Sequence, residues 1–352
     1  MNVTVTAPAL AYTRYLGSSP RLRSDDWSVI GQDGGQTIEV GEQILFLFSD
    51  TLLASSLPRK QRSTSRVPFA SPYGEQGIFL ANTAGLTGAT KDIRQAQREI
   101  RYFTNDEGLP REILEPSPEE RAQALRFWPE HGIYVGGKVF VYYLGIQTVD
   151  PDTIWGFRNL GSGLAVLDPV MGQCDRLRHN GDWLLWSGRD DLHFGVQVLQ
   201  EGEYVYAFGS YREGFQSNAF LARVRADQIS EPDAYEFLQD PAPSWGRDFE
   251  ASYNLGPCGS DYSVSYNPYL GGYMMLFIDS YKKTLMLRTA PELTGPYSAP
   301  RKLIGVPHEP ASELVYLGFE HPPFRRDNGR IIYITYCQPH FTANSLVEVR
   351  FR

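Results

Sequence analysis

Five times along the chain a β-strand, a glycine-containing turn and a second, strongly apolar strand follow one another, at residues 38–48, 132–143, 195–208, 262–277 and 322–336. Most copies are followed by a third strand, at 163–167, 219–224, 284–289 and 345–350. A unit of this kind cannot bury its apolar face alone, and repetition around a common axis buries it against its neighbours. The pattern predicts an all-β fold, a five-bladed β-propeller, with 1–352 as a single domain. A β-sandwich is the competing architecture. It would bring strands at even intervals of about 8–12 residues, with no five-fold recurrence. The largest insertion lies between Thr51 and Phe127, and the segment before Asp25 is expected to pair with the last unit and close the ring.

Helical periodicity is scarce. The candidates are 89–99, 118–125 and a short turn from Ala226-Asp227-Gln228. Ser117-Pro118-Glu119-Glu120 places an N-cap, a proline and two acids where a helix begins.

The charge balance narrows the partners. Against 41 Asp+Glu stand 33 Lys+Arg, a net charge of −8, which weighs against nucleic acid. No stretch approaches the roughly 20 apolar residues of a membrane helix, so no membrane partner is expected either. Residues 1–11 lack a basic start and a long apolar run, so no signal peptide is read there. The chain as given is expected to be cytoplasmic, or exported if a leader was trimmed. Cys174, Cys258 and Cys337 lie far apart with no CxxC spacing, which suggests neither a zinc ribbon nor a disulfide framework.

In a propeller the polar groups at the ends of apolar inner strands are where chemistry belongs. Asp50 ends such a strand in Phe48-Ser49-Asp50-Thr51. It either caps the following turn or points into the channel mouth. Asp33 sits in Gly31-Gln32-Asp33-Gly34-Gly35, where glycines let backbones approach closely. An Asp-Gly turn is the plain alternative, yet Asp33 precedes the hairpin whose turn is Gly41-Glu42. Two carboxylates across a pocket are what glycoside hydrolysis requires.

Polar residues recur at the starts of the other hairpins. They are Glu130 and His131 behind Trp128, His193 before Gly195, Asp261 before Tyr262, and Glu320 with His321. Such residues would converge on the axis and bind hydroxyls, although for any single histidine a structural role is the alternative. No HxxxH or clustered-carboxylate spacing marks a metal. No cofactor is expected, and a structural or channel-bound cation stays open. Trp27, Trp128, Trp155, Trp183, Trp186, Trp245 and Tyr262 lie near these positions, able to pack on sugar faces or between blades. Phosphate loops, HExxH and GxSxG are absent.

Gly31-Gln32-Asp33-Gly34-Gly35 followed by the strand into Ser49-Asp50-Thr51 resembles the opening of the DUF4185 family. Gly161-Ser162-Gly163-Leu164-Ala165, residues 263–271, Leu287-Arg288-Thr289-Ala290, Gly295-Pro296-Tyr297-Ser298 and His321-Pro322 are similar to it as well. More distantly the pattern resembles the propellers of glycoside hydrolase families 43 and 32. The resemblance implies a five-bladed propeller and endo-acting hydrolysis of D-arabinan furanosidic links. It implies that Asp33 and Asp50 are the acidic pair and that Asp261 stands where a third acid, often Glu, is found. The shorter Asp261 and the absence of a leader depart from that pattern, so a small intracellular furanoside is as consistent with the chain as a polymer.

These readings combine into an expected glycoside hydrolase acting on a furanoside-containing saccharide. Asp33, Asp50 and Asp261 would be catalytic. Trp128, Glu130, His131, His193, Tyr262, Glu320 and His321 would hold the carbohydrate. The alternatives are a non-catalytic carbohydrate-binding propeller and a polysaccharide lyase, for which Arg189, Arg212 and Arg288 are candidate partners of a uronate.

Overall fold

Five antiparallel sheets surround one axis in a computed structural model that describes residues 10–18, 22–24, 27–55, 77–153, 155–189, 191–310, 312–339 and 344–352. Residues 1–9, read above for a leader, and part of the long insertion, 56–76, lie outside the described residues. From the axis outwards, blade I runs Trp27–Val40, Gln43–Ser55, Thr83–Gly88 and Arg101–Tyr102, with Gly77–Leu80 also on Gln43–Ser55. Blade II runs Leu125–Val135, Lys138–Thr148, Phe157–Leu167 and Cys174–Arg176. Blade III runs His193–Glu201, Tyr204–Glu213, Gln216–Arg225, Glu236–Asp240 and Ser244–Gly246, with Pro257–Cys258 beside Gln216–Arg225. Blade IV runs Tyr262–Asn267, Gly272–Asp279, Thr284–Ala290 and Arg301–Gly305. Blade V runs Tyr316–Glu320, Ile331–Cys337, Ser345–Phe351 and, outermost, Leu10–Ser18.

The first strands of the five blades touch one another in sequence, I to II to III to IV to V and back to I. The fold is the five-bladed propeller that the hairpins predict. The N-terminal strand closes the ring as expected, pairing from Leu10↔Phe351 to Ser18↔Ser345. Buried Glu348 fastens it, accepting from Tyr12 Oη at 2.9 Å, Arg14 Nη2 at 3.2 Å and Tyr333 Oη at 2.9 Å.

Aromatic side chains fill the space between and beneath the blades. Phe127 stands edge-on to Trp183 at 5.0 Å, and Phe194 to Trp186 at 4.5 Å. Burying each such ring stabilises the fold by roughly 2–3 kcal/mol. The three helical candidates are present but short: Ile93–Arg98, Pro118–Ala122 behind a Ser117/Glu120 capping box, and a 3-10 turn at Ala226–Gln228.

One hairpin differs from its reading. The inner strand of blade V is Tyr316–Glu320, upstream of Pro322, and Pro322–Phe324 is a 3-10 turn. Two successive prolines lack the N–H groups a ladder needs, so they terminate the strand instead of starting it. Glu320 and His321 therefore lie at the far end of that strand, and Tyr316 occupies its start.

Four of the five inner strands are irregular near their starts. Register shifts fall at Gln32/Gly34 and Gly34/Gln36, at Pro129/Gly132, at Phe194/Gln197 and at Tyr316/Phe319. A bulge bends its strand and re-aims a side chain, and here the bulges lie beside the residues that line a cavity at one end of the axis.

Candidate active site

That cavity, about 640 Å³, is lined by Asp33, Asp50, Arg126, Trp128, Glu130, His193 and Asp261, with Trp155, Arg212 and Tyr316 among its other walls. Of the ten residues singled out above, six meet in it: Asp33, Asp50, Asp261, Trp128, Glu130 and His193.

Asp33 and Asp50 come from neighbouring strands of blade I. Gln32 pairs with Thr51 and Gly34 with Phe48, so Asp33 lies opposite the Ser49-Asp50 step at the bulge. The bulge needs Gly34: its φ is +79°, and a Cβ there would lie 3.0 Å from the Ser49 amide nitrogen. Asn344 donates Nδ2–H to the Gly34 carbonyl at 2.8 Å and ties the bulge to blade V.

The two carboxyls have different surroundings. Burial, then the charge of Asp50, pushes Asp33 well above the usual carboxylate range. Tyr316 donates to Asp33 Oδ2 at 3.3 Å, while Asp33 Oδ1 is buried with no protein partner. Burial also raises Asp50, to about 6, against the opposing pull of the Arg126 guanidinium and of the Trp128 N–H, which donates to Oδ1 at 2.7 Å. Arg126 is itself buried, held by Thr148 Oγ1 at 2.9 Å and lying over the Trp128 ring at 5.0 Å.

Glu130, His193 and Asp261 come from blades II, III and IV. His193 Nδ1 is 3.1 Å from Glu130 Oε1 and 3.8 Å from Asp261 Oδ1. Burial, then Asp261, raises Glu130 to about 7. Burial opposes a charge on His193, but the Glu130 and Asp261 carboxylates outweigh it and raise the imidazole to about 9. Ser260 Oγ donates to Asp261 Oδ2 at 2.7 Å.

The other four residues lie away from the cavity, and the expectation that they touch a ligand gives way. Tyr262 is buried in the core between blades III and IV, its hydroxyl donating to the Gly209 carbonyl at 2.8 Å. His131 accepts from the Val198 amide at 3.3 Å, and burial lowers it to about 4. His321 is fully buried between Thr37 Oγ1 at 3.2 Å and Thr335 Oγ1 at 2.8 Å, and burial lowers it to about 3. Glu320 is paired with Arg325 at 2.6 Å and accepts from Ser265. Of the tryptophans only Trp128 and Trp155 line the cavity. Trp155 stands edge-on to Tyr316 at 6.1 Å and is half exposed.

Arg126 and Tyr316, which act on the carboxyl pair, were absent from the sequence expectation. Arg126 was legible in principle: Arg126, Trp128 and Glu130 alternate along one strand, and alternate residues share a face. Tyr316 had no such signal. Its neighbour Leu317 takes φ +53°, a left-handed conformation that costs a non-glycine residue on the order of 1 kcal/mol and clusters at functional sites.

The family model described as a domain of unknown function, DUF4185, matches residues 18–340. The chain belongs to this family. Among solved structures, this DUF4185 chain is similar to a candidate hydrolase from Bacteroides ovatus, at 15% identity over 99% of this chain and 97% of that one, with a TM-score of 0.61. It is also similar to the GH43_1 enzyme from Xanthomonas citri complexed with xylotriose, at 11% identity over 95% and 90% of the two chains, with a TM-score of 0.51. These likenesses are of fold. A search of curated proteins returned no match.

Proposed function

We propose that this DUF4185 protein is a glycoside hydrolase acting on a furanoside-containing, arabinan-like saccharide, with Asp33 as proton donor and Asp50 as general base or nucleophile. The observation that carries the reading is the pair itself. Two carboxyls face one cavity from neighbouring strands, in surroundings that separate their titrations. Near neutral pH, Asp33 keeps its proton because it is buried beside a charged Asp50. Asp50 stays ionised because a guanidinium and an indole N–H face it.

In this scheme Asp33 gives its proton to the glycosidic oxygen as the C–O bond breaks. Asp50 either removes a proton from an attacking water or attacks the anomeric carbon itself, and the anomeric configuration of the product decides between the two. Trp128, Trp155 and Tyr316 offer ring faces and edges to sugar C–H groups. The cavity volume falls within the range of small-ligand sites. The fold shared with the xylotriose-bound Xanthomonas citri enzyme supports an oligosaccharide occupant.

A lyase acting on a uronate polymer is less well supported. Six carboxyl-bearing residues line the cavity and would repel a uronate. Arg288 is committed to the carbonyls of Leu255, Pro257 and Ser298, and Arg189 to Phe249 and Glu250.

The test is turnover of arabinan and of furanosyl and pyranosyl nitrophenyl glycosides by the wild type, Asp33→Asn and Asp50→Asn. Hydrolysis of furanosides by the wild type, with turnover of arabinan lost in both variants, supports the proposal. Sugar binding without turnover in the wild type replaces it with a binding propeller. An ultraviolet-absorbing unsaturated product replaces it with a lyase.

A further inference from the structure

The cluster formed by Glu130, His193 and Asp261 is poorly satisfied by its own hydrogen bonds. A proton on His193 Nδ1 can serve Glu130 Oε1 at 3.1 Å, but Asp261 Oδ1 at 3.8 Å is beyond hydrogen-bond reach. Glu130 is 2% exposed, and its Oε2 is shut off from solvent with no donor in the protein. A buried carboxylate oxygen without a partner calls for a group that the chain does not supply.

The three donor atoms lie within 4.8 Å of one another. A cation about 2.1 Å from each donor requires separations of roughly 3–4 Å, and the separations of His193 Nδ1 from Glu130 Oε1 and Asp261 Oδ1, 3.1 and 3.8 Å, meet that. The chemistry of the set is one imidazole nitrogen and two carboxylate oxygens. Nitrogen favours first-row transition cations over magnesium or calcium, which prefer all-oxygen shells. Ser260 Oγ, on Asp261 Oδ2 at 2.7 Å, leaves Oδ1 turned toward His193 and fixes a ligand from behind. All three residues line the cavity, so the remaining coordination positions face the space where a ligand would sit.

We propose that Glu130, His193 and Asp261 form a binding site for one divalent transition cation, of the manganese or zinc class, at the wall of the cavity. The site is built by three blades and would offer its open positions to water or to sugar hydroxyls. It does not depend on the hydrolase reading, since a binding propeller would use the same ion to hold its ligand.

The experiment is titration of chelator-treated, full-length protein with Mn²⁺, followed by electron paramagnetic resonance of the free ion, and with Zn²⁺ by calorimetry. The expected result is one equivalent bound. Affinity should fall at least tenfold in Glu130→Gln and in Asp261→Asn, both close in shape to the wild type. Asp33→Asn should bind within severalfold of the wild type. No binding of either ion below millimolar concentration overturns the proposal, and so does binding that neither ligand variant weakens. Furanoside turnover by chelated protein that showed no ion binding would overturn the metal site and leave the hydrolase reading standing.

Discussion

The carboxyl pair of blade I and the cluster of blades II to IV share one cavity but are built differently. Asp33 and Asp50 lie on adjacent strands of one hairpin, and their spacing follows from a local bulge that Gly34 permits. Glu130, His193 and Asp261 meet only because three blades stand in the right order around the axis. The pair relies on Arg126 and Trp128 from the neighbouring blade to favour a charged Asp50, while in the cluster each of three blades supplies one group. Local geometry thus fixes the pair, and ring closure fixes the cluster. A site of the first kind suits proton transfer, where small displacements cost most, and one of the second kind suits holding a ligand across the channel.

The largest expected effect separates the two regions directly. Asp33→Asn and Asp50→Asn should each lower turnover of unactivated glycan by about 10²–10⁴-fold with the fold intact by circular dichroism. Glu130→Gln should cost less than either. If Glu130→Gln costs more than both, the acid–base assignment belongs to the cluster.

Next in size is a stability effect with a definite sign. Asp50 titrates near 6 in the folded protein, above the ordinary value near 4 of the unfolded chain. The folded state therefore binds more protons between those values. Stability is fully present below about pH 4 and falls as pH rises through 6. Asp50→Asn removes that loss, so relative to the wild type the variant should gain roughly 1–3 kcal/mol between pH 4 and 7.5. Urea unfolding at the two pH values checks it, and an equal difference at both contradicts it.

A smaller change sharpens the role of the indole. Trp128→Phe removes the donor on Asp50 and should move the acidic limb of the kcat profile up from about 6 by about one unit. An unmoved limb would assign Trp128 to packing alone. The smallest change expected is Trp155→Ala, at the half-exposed rim. It should raise KM about 3–10-fold with kcat nearly unchanged, as loss of a ring contact to substrate requires.

Much of this architecture is legible in the sequence because each blade is a local unit. Four of the five hairpins lie where their alternating strands and turns put them. The fifth was displaced by reading Pro322-Pro323 as an opening when the missing N–H groups make it a stop. That slip also assigned Glu320 and His321 to a site they do not reach, and concealed Tyr316. Asp33 and Asp50 were legible for the same reason as the hairpins: each lies in a short motif on one blade. Glu130, His193 and Asp261 were visible as single polar residues at strand starts, but their partnership was not. It depends on which blades adjoin and how far each bulge turns its strand, and neither is written in local pattern. His131 and Tyr262 show the converse, since a polar residue next to a site residue along a strand faces the other way and is taken up by the core.

The central claim is that Asp33 supplies the proton and Asp50 does not. The most direct measurement compares Asp33→Asn with Asp50→Asn on two furanosides that differ only in the leaving group, one a sugar and one a nitrophenol. A nitrophenolate leaves without protonation, so a proton donor matters little for it. The account predicts that Asp33→Asn loses most of its activity on the sugar leaving group and little on nitrophenol, whereas Asp50→Asn loses both. Equal losses for the two variants on both substrates, or the reverse pattern, would contradict it.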